Sequence, residues 1–227
     1  MRIKLLSYIV LILGYSSMAL AQSNSTIGFL PKITLSNEIH PKIKLVNSLE
    51  SRQSFYNDNL NPESQYQYIL TDITNILSFR AGNGIKLNLG YLFRIREGEV
   101  FHRSIQQLTF INTSEGIRLA HRIATDQTFN ANRLPLFRLR YRITLEKPLN
   151  GLRVDNKEFY LKINNEYLGS LTGSKSDVEI RVVPFVGYEL NKKNKVEVGM
   201  DYRLDDFINS KGSDHAIWLA VNWYISL

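Results

Sequence analysis

The sequence predicts an all-β fold, an up-and-down antiparallel transmembrane β-barrel of about 10 or 12 strands that follows a cleaved signal peptide. Three observations predict it. Apolar and polar residues alternate with a period of two through nearly the whole chain after residue 21, which marks strands with one greasy face. The alternating runs often reach about 12 residues, beyond the ~5–6 usual in soluble strands and enough for the ~9–11 of a tilted membrane strand. An export signal stands at the N-terminus.

That signal is the first element. Arg2 and Lys4 precede an apolar run from Leu5 to Leu13, and Ala19-Leu20-Ala21 supplies the small-residue site for a cut after Ala21. The run is shorter than the ~20 residues of a spanning helix. Residues 1–21 are therefore expected to be a signal peptide and 22–227 a single outer-membrane barrel domain, since no linker or composition shift divides the remainder.

The strands follow in order at about 26–35, 42–56, 65–80, 84–96, 99–112, 116–130, 134–148, 157–169, 177–190, 195–207 and 214–227. The first is the weakest. "GIKLNLGYLFRIR" sets Ile85, Leu87, Leu89, Tyr91, Phe93 and Ile95 against Lys86, Asn88, Gly90, Arg94 and Arg96. "KVEVGMDYRLDDF" sets Val196, Val198, Met200, Tyr202 and Leu204 against Glu197, Gly199, Asp201, Arg203 and Asp205. Turns are signalled at Gly82-Asn83-Gly84, Glu97-Gly98, Asn112 to Gly116 and Asn191 to Asn194, with longer links at 57–64 and 169–176. Bacterial single-chain barrels have an even strand count and both ends on the periplasmic side. The eleven candidates therefore imply ten strands if the first is not one, or twelve if one is missed.

Long strands and the export signal turn the apolar face toward lipid. Aromatic residues near strand ends (Phe55, Tyr56, Tyr66, Phe93, Phe101, Tyr167, Tyr188, Phe207) suit the membrane–water boundary. The terminal "AIWLAVNWYISL" resembles the amphipathic, aromatic-containing closing strand of outer-membrane barrels, which implies recognition by insertion machinery, with Leu227 where that pattern most often has Phe. The absence of cysteine excludes a disulfide framework, a lipid-bearing cysteine and cysteine-based zinc sites. Without Arg2 and Lys4, 26 basic residues face 21 acidic ones, a modest excess that suits anionic partners.

The polar face then lines the interior. In "LFRLRYRITLEKPL", Phe137, Leu139, Tyr141, Ile143 and Leu145 alternate with Arg138, Arg140, Arg142, Thr144 and Glu146. Unpaired arginines would be prohibitive in a dry core but are accommodated beside carboxylates in a wet lumen. A two-residue hairpin at Glu97-Gly98 sets Arg96 opposite Glu99. Carrying that parity forward brings Arg103 near Asp126, Gln107 near Arg122, Asp126 near Arg138, Arg118 near Glu146 and Arg140 toward Glu166. The expected site is thus a charged lumen network of Arg103, Arg118, Arg122, Asp126, Arg138, Arg140, Arg142, Glu146 and Glu166, which either fills the barrel or lines a solute or anion path.

Other chemistries are less well supported. His102 and His121 fall on outer faces, with Ser104 near His102. The expected register sets His102 opposite residue 127 and His121 opposite residue 108, too far apart for one site. No G-x-S-x-G elbow occurs. His40 and His215 suggest no metal cluster. "GNG" at 82–84 lacks the rest of a phosphate loop, and no nucleic-acid reading module is present. No cofactor or catalytic residue is expected.

The succession "GYLFRIREGEVFHRSIQQLTF", "LAHRIATDQTF", "LFRLRYRITLEKPL", "FYLKINNEYL", "EIRVVPFVGYEL" and "VEVGMDYRLDD" resembles a family of Gram-negative outer-membrane β-barrels known only as a domain of unknown function. The resemblance spans roughly residues 40 to 227. The chain departs from the pattern by carrying Asp126 where Glu is commoner and Glu179-Ile180-Arg181 where Asn-Arg is expected. The resemblance implies an outer-membrane location and a barrel architecture, with no assigned activity. The expected function is a non-catalytic, porin-like outer-membrane barrel, structural or a narrow solute channel, with membrane lipid and the insertion machinery as partners. The alternatives are a soluble periplasmic barrel holding an apolar ligand and a barrel lipid hydrolase.

Overall fold

A computed structural model describes residues 24–58, 66–206 and 212–227. The expected signal peptide at 1–21 and Phe207 lie outside the described residues. Those residues form eleven strands: β1 (Asn24–His40), β2 (Ile43–Asn57), β3 (Gln67–Gly82), β4 (Ile85–Arg96), β5 (Glu99–Ser114), β6 (Ile117–Asn130), β7 (Arg133–Pro148), β8 (Phe159–Thr172), β9 (Lys175–Asn191), β10 (Asn194–Asp205) and β11 (Asp214–Ser226).

Each strand pairs antiparallel with the next, and β1 joins β11 to close the barrel. That last pair is parallel, in register from Asn24↔Asp214 to Ser36↔Ser226. The count of eleven corrects the expected 10 or 12. An even count is required only when the first and last strands meet antiparallel; slanted, evenly spaced parallel hydrogen bonds close an odd number equally well. The weak first segment is a full strand. It also follows that β1 begins and β11 ends at opposite mouths, not on one side. One is here termed the N mouth, where β1 begins, and the other the C mouth, where β11 ends.

Most connections are tight. Glu97 and Gly98 have φ of 53° and 75°, the two left-handed residues of a type I′ hairpin, whose twist matches that of the flanking strands. Glu115-Gly116 repeats the pair with φ of 50° and 80°. The link expected at 169–176 is shorter than predicted, because Thr172 pairs directly with Lys175.

Large apolar side chains stand on the outside of the barrel and charged ones inside. Leu139 (59%), Met200 (54%) and Leu161 (46%) stand exposed on the outer wall, while Asp126 and Glu197 are wholly buried. Carboxylates and guanidiniums are almost never fully buried unless paired. The inner wall also carries one apolar patch of Leu30, Val183, Phe185, Trp218 and Ala220. Close by, the Tyr160 ring lies flat on Gly187, where a Cβ would come within 2.1 Å of its Cζ.

Candidate functional site

Alternation along β7 aims Arg138, Arg140 and Arg142 at the interior, and β6 supplies their counter-charge. Asp126 stands directly opposite Arg138 in register. Its Oδ1 accepts from Arg138 Nε at 2.7 Å, Arg140 Nη2 lies 2.7 Å from Oδ2, and Arg103 Nε approaches Oδ1 at 3.4 Å. Arg103 also donates to Thr128 Oγ1 at 2.7 Å. A single carboxylate thus serves three guanidiniums, and the removal of all four groups from bulk water strengthens their attraction.

Glu166 on β8 is the second hub. It accepts from Arg142 Nε at 2.7 Å and lies 3.3 Å from Arg181 Nη1; Arg181 in turn donates to Glu179 at 2.6 Å. Arg118 and Glu146 face each other across β6 and β7 at 3.5 Å. All nine residues expected in the lumen lie on the inner wall, but not all meet as expected. Arg140 is opposite Leu168, and it is Arg142 that stands opposite Glu166. Gln107 is opposite Ala124, and Arg122 faces Thr109. Each difference is a slip of two residues, which preserves the face and changes the partner. Arg122 makes no ion pair with any described residue.

Several inward groups were not expected in the network. Arg94 grips Asp72 with two hydrogen bonds of 2.7 and 2.6 Å, and Arg203 holds Asp201 two residues along its own strand. Near the C mouth, buried Glu197 accepts from Tyr160 at 2.8 Å and Tyr224 at 3.1 Å, and also binds Lys162. Lys162 lies over the Phe185 ring, a cation–π arrangement. The same parity that marks the arginines of β7 marks these residues.

On the outer wall, three histidines each meet a tyrosine hydroxyl: His102 with Tyr91, His121 with Tyr141 at 2.8 Å, and His215 with Tyr202 at 2.9 Å. Ser104 Oγ donates to Gln127 Oε1 at 2.5 Å, not to His102. His102 pairs across the sheet with Phe129 and His121 with Phe110, two residues from the expected opposites. The two imidazoles remain far apart along β6. Among the described residues, no three His, Cys, Asp or Glu side chains are placed to hold a metal ion.

Comparison with protein families finds a match over residues 28–212 to the family described as "Protein of unknown function (DUF2490)". No curated protein matches the sequence.

Proposed function

The chain belongs to the DUF2490 family, and from that premise we propose that it is an outer-membrane β-barrel of a Gram-negative bacterium with an Arg/Glu-lined interior. In this reading it is exported by its N-terminal signal, inserted through recognition of its closing strand, and serves as a structural barrel or narrow anion path. The observation that carries the reading is the inverted burial. Apolar side chains project from all eleven strands, while Asp126, Glu166, Glu197 and Arg103 are enclosed. Hydrocarbon tails are the solvent that suits such an outer wall, and a polar interior is usual for membrane barrels.

With the closing strand ending at the periplasm, the C mouth faces inward and the N mouth outward. A soluble calyx for an apolar ligand would need the opposite arrangement, with its greasy face inside. No catalysis is part of the proposal: Ser104 and His102 are each engaged with other partners.

Heat-modifiable migration of the detergent-extracted protein tests the location. A water-soluble mature chain that does not shift would reject the membrane reading. Planar-bilayer recordings of wild type and of an Arg138→Ala, Arg140→Ala, Arg142→Ala variant then separate path from plug. Absence of current in both eliminates the path and leaves the structural barrel.

A further inference from the structure

One register line across the inner wall is almost wholly cationic. Starting at the C mouth it runs Arg80↔Lys86, Lys86↔Thr109, Thr109↔Arg122 and Arg122↔Arg142 before it reaches the first carboxylate, Glu166. Directly opposed like charges destabilise a sheet unless something offsets them. Farther along, Arg181 and Arg203 also face each other, but each holds a carboxylate of its own, Glu179 and Asp201. Arg80, Lys86 and Arg122 have no such partner among the described residues. The strongest charge effects on Lys86 come from Arg118, Lys44, Arg80 and Arg122, all of one sign.

Two orphaned donors lie in the same line. Thr109 is only 6% exposed and its Oγ1 has no hydrogen-bond partner; the enclosed Nε of Arg122 has none either. Buried donors without partners are rare and commonly mark a water or ion site. Strands are spaced about 4.8 Å apart, so the backbones of Lys86 and Arg122 are about 10 Å apart, with Thr109 between them. That span fits a tetrahedral oxyanion held between an ammonium and a guanidinium, with the hydroxyl beneath it. Oxygen atoms on several sides would satisfy donors from three strands at once.

We propose that Lys86, Thr109 and Arg122 form an oxyanion site of the phosphate class on the inner wall, with exposed Arg80 at the C mouth as its entrance. The inference rests on the charged-lumen reading and deepens it by naming the ion. The site supplies counter-charge to side chains that make no ion pair among the described residues.

The test is calorimetric titration of purified, heat-modifiable barrel in uncharged detergent with sodium phosphate at neutral pH. Saturable binding is expected, weakened about tenfold or more by Arg122→Gln and about tenfold by Thr109→Val, as expected for loss of one hydrogen bond to a charged group. Arg133→Gln, which alters an ion pair with Glu99 near the N mouth, should bind as wild type. A folded wild-type barrel that takes up no phosphate, or binding unchanged in both site variants, overturns the proposal. Heat-modifiability of each variant, or its far-UV circular dichroism if the protein proves water-soluble, certifies its fold. A protein that binds phosphate as stated yet proves water-soluble supports the site while rejecting the outer-membrane reading, so the two failures are distinguishable.

Discussion

Replacing Asp126 by Asn removes one charge and almost no volume, and three guanidiniums feel the loss. Arg138 and Arg140 each lie 2.7 Å from the carboxylate and Arg103 lies 3.4 Å away, with Asp126 fully enclosed and the three arginine side chains only 5–17% exposed. Bulk screening is therefore weak. The amide can still accept from Arg138, but its NH2 group must face a guanidinium that it cannot satisfy. Breaking a buried pair by removing one partner costs about 3–5 kcal/mol; a wet lumen puts the expectation near the lower limit, about 3 kcal/mol. With a urea dependence of roughly 2–3 kcal/mol per molar, the upper part of the range for small proteins, the unfolding midpoint falls by about 1 M. The assay is urea titration of barrels refolded in lipid, read by gel mobility of unheated samples. Adding Arg138→Gln to Asp126→Asn should recover part of the loss by relieving one uncompensated cation. An Asp126→Asn barrel within about 0.5 kcal/mol of wild type would refute the hub.

Three further outcomes follow from the same geometry. Leu139→Arg places a cation on the outer wall near the middle of β7, and should cost about 2–4 kcal/mol in a bilayer; vesicle insertion yields equal to wild type would contradict a lipid-facing wall. The two tryptophans report opposite faces, Trp223 45% exposed and Trp218 3% exposed. Brominated lipid should quench fluorescence of Trp218→Phe, which retains Trp223, far more than that of Trp223→Phe. Gly187→Ala drives a methyl into the Tyr160 ring, whose atoms would lie 2.1–2.5 Å from the new Cβ. Overpacking of this kind costs about 1–3 kcal/mol, to be read as a lowered unfolding midpoint; unchanged stability would mean that Tyr160 swings away freely from Glu197.

The sequence makes the strands legible because alternation fixes which residues share a face: ten predicted strands lie within three residues of their expected ends, and β1 runs five residues past its own. Tight turns make some partners legible too: Arg96 opposite Glu99, Arg118 opposite Glu146 and Asp126 opposite Arg138 all appear in register. Parity survives but register slips by two residues between β7 and β8, where the connection is longer and Glu166 meets Arg142 in place of Arg140. The same slip occurs between β5 and β6, where the turn expected within Asn112 to Gly116 falls at Glu115-Gly116 and Arg122 meets Thr109 in place of Gln107. Same-strand grips such as Arg181 on Glu179 are invisible to cross-strand counting, because a long guanidinium side chain can fold back over two residues. The odd count was hidden because closure joins segments about 190 positions apart, where no local pattern can tell a parallel seam from an antiparallel one. The apolar patch around Trp218 was hidden for another reason: period two identifies a wall and leaves its filling open.

The seam between β1 and β11 has a bearing on how the molecule is made. Hairpins close between neighbouring segments, yet the first strand must wait for the last, about 190 positions further along the chain. Contacts so distant in sequence are slow to form. Until they do, the growing sheet has two bare rims whose amides and carbonyls invite pairing with any neighbouring chain. Assembly is therefore most exposed to error just before β11 docks, and loss of that strand would forfeit the join that seals the whole circle.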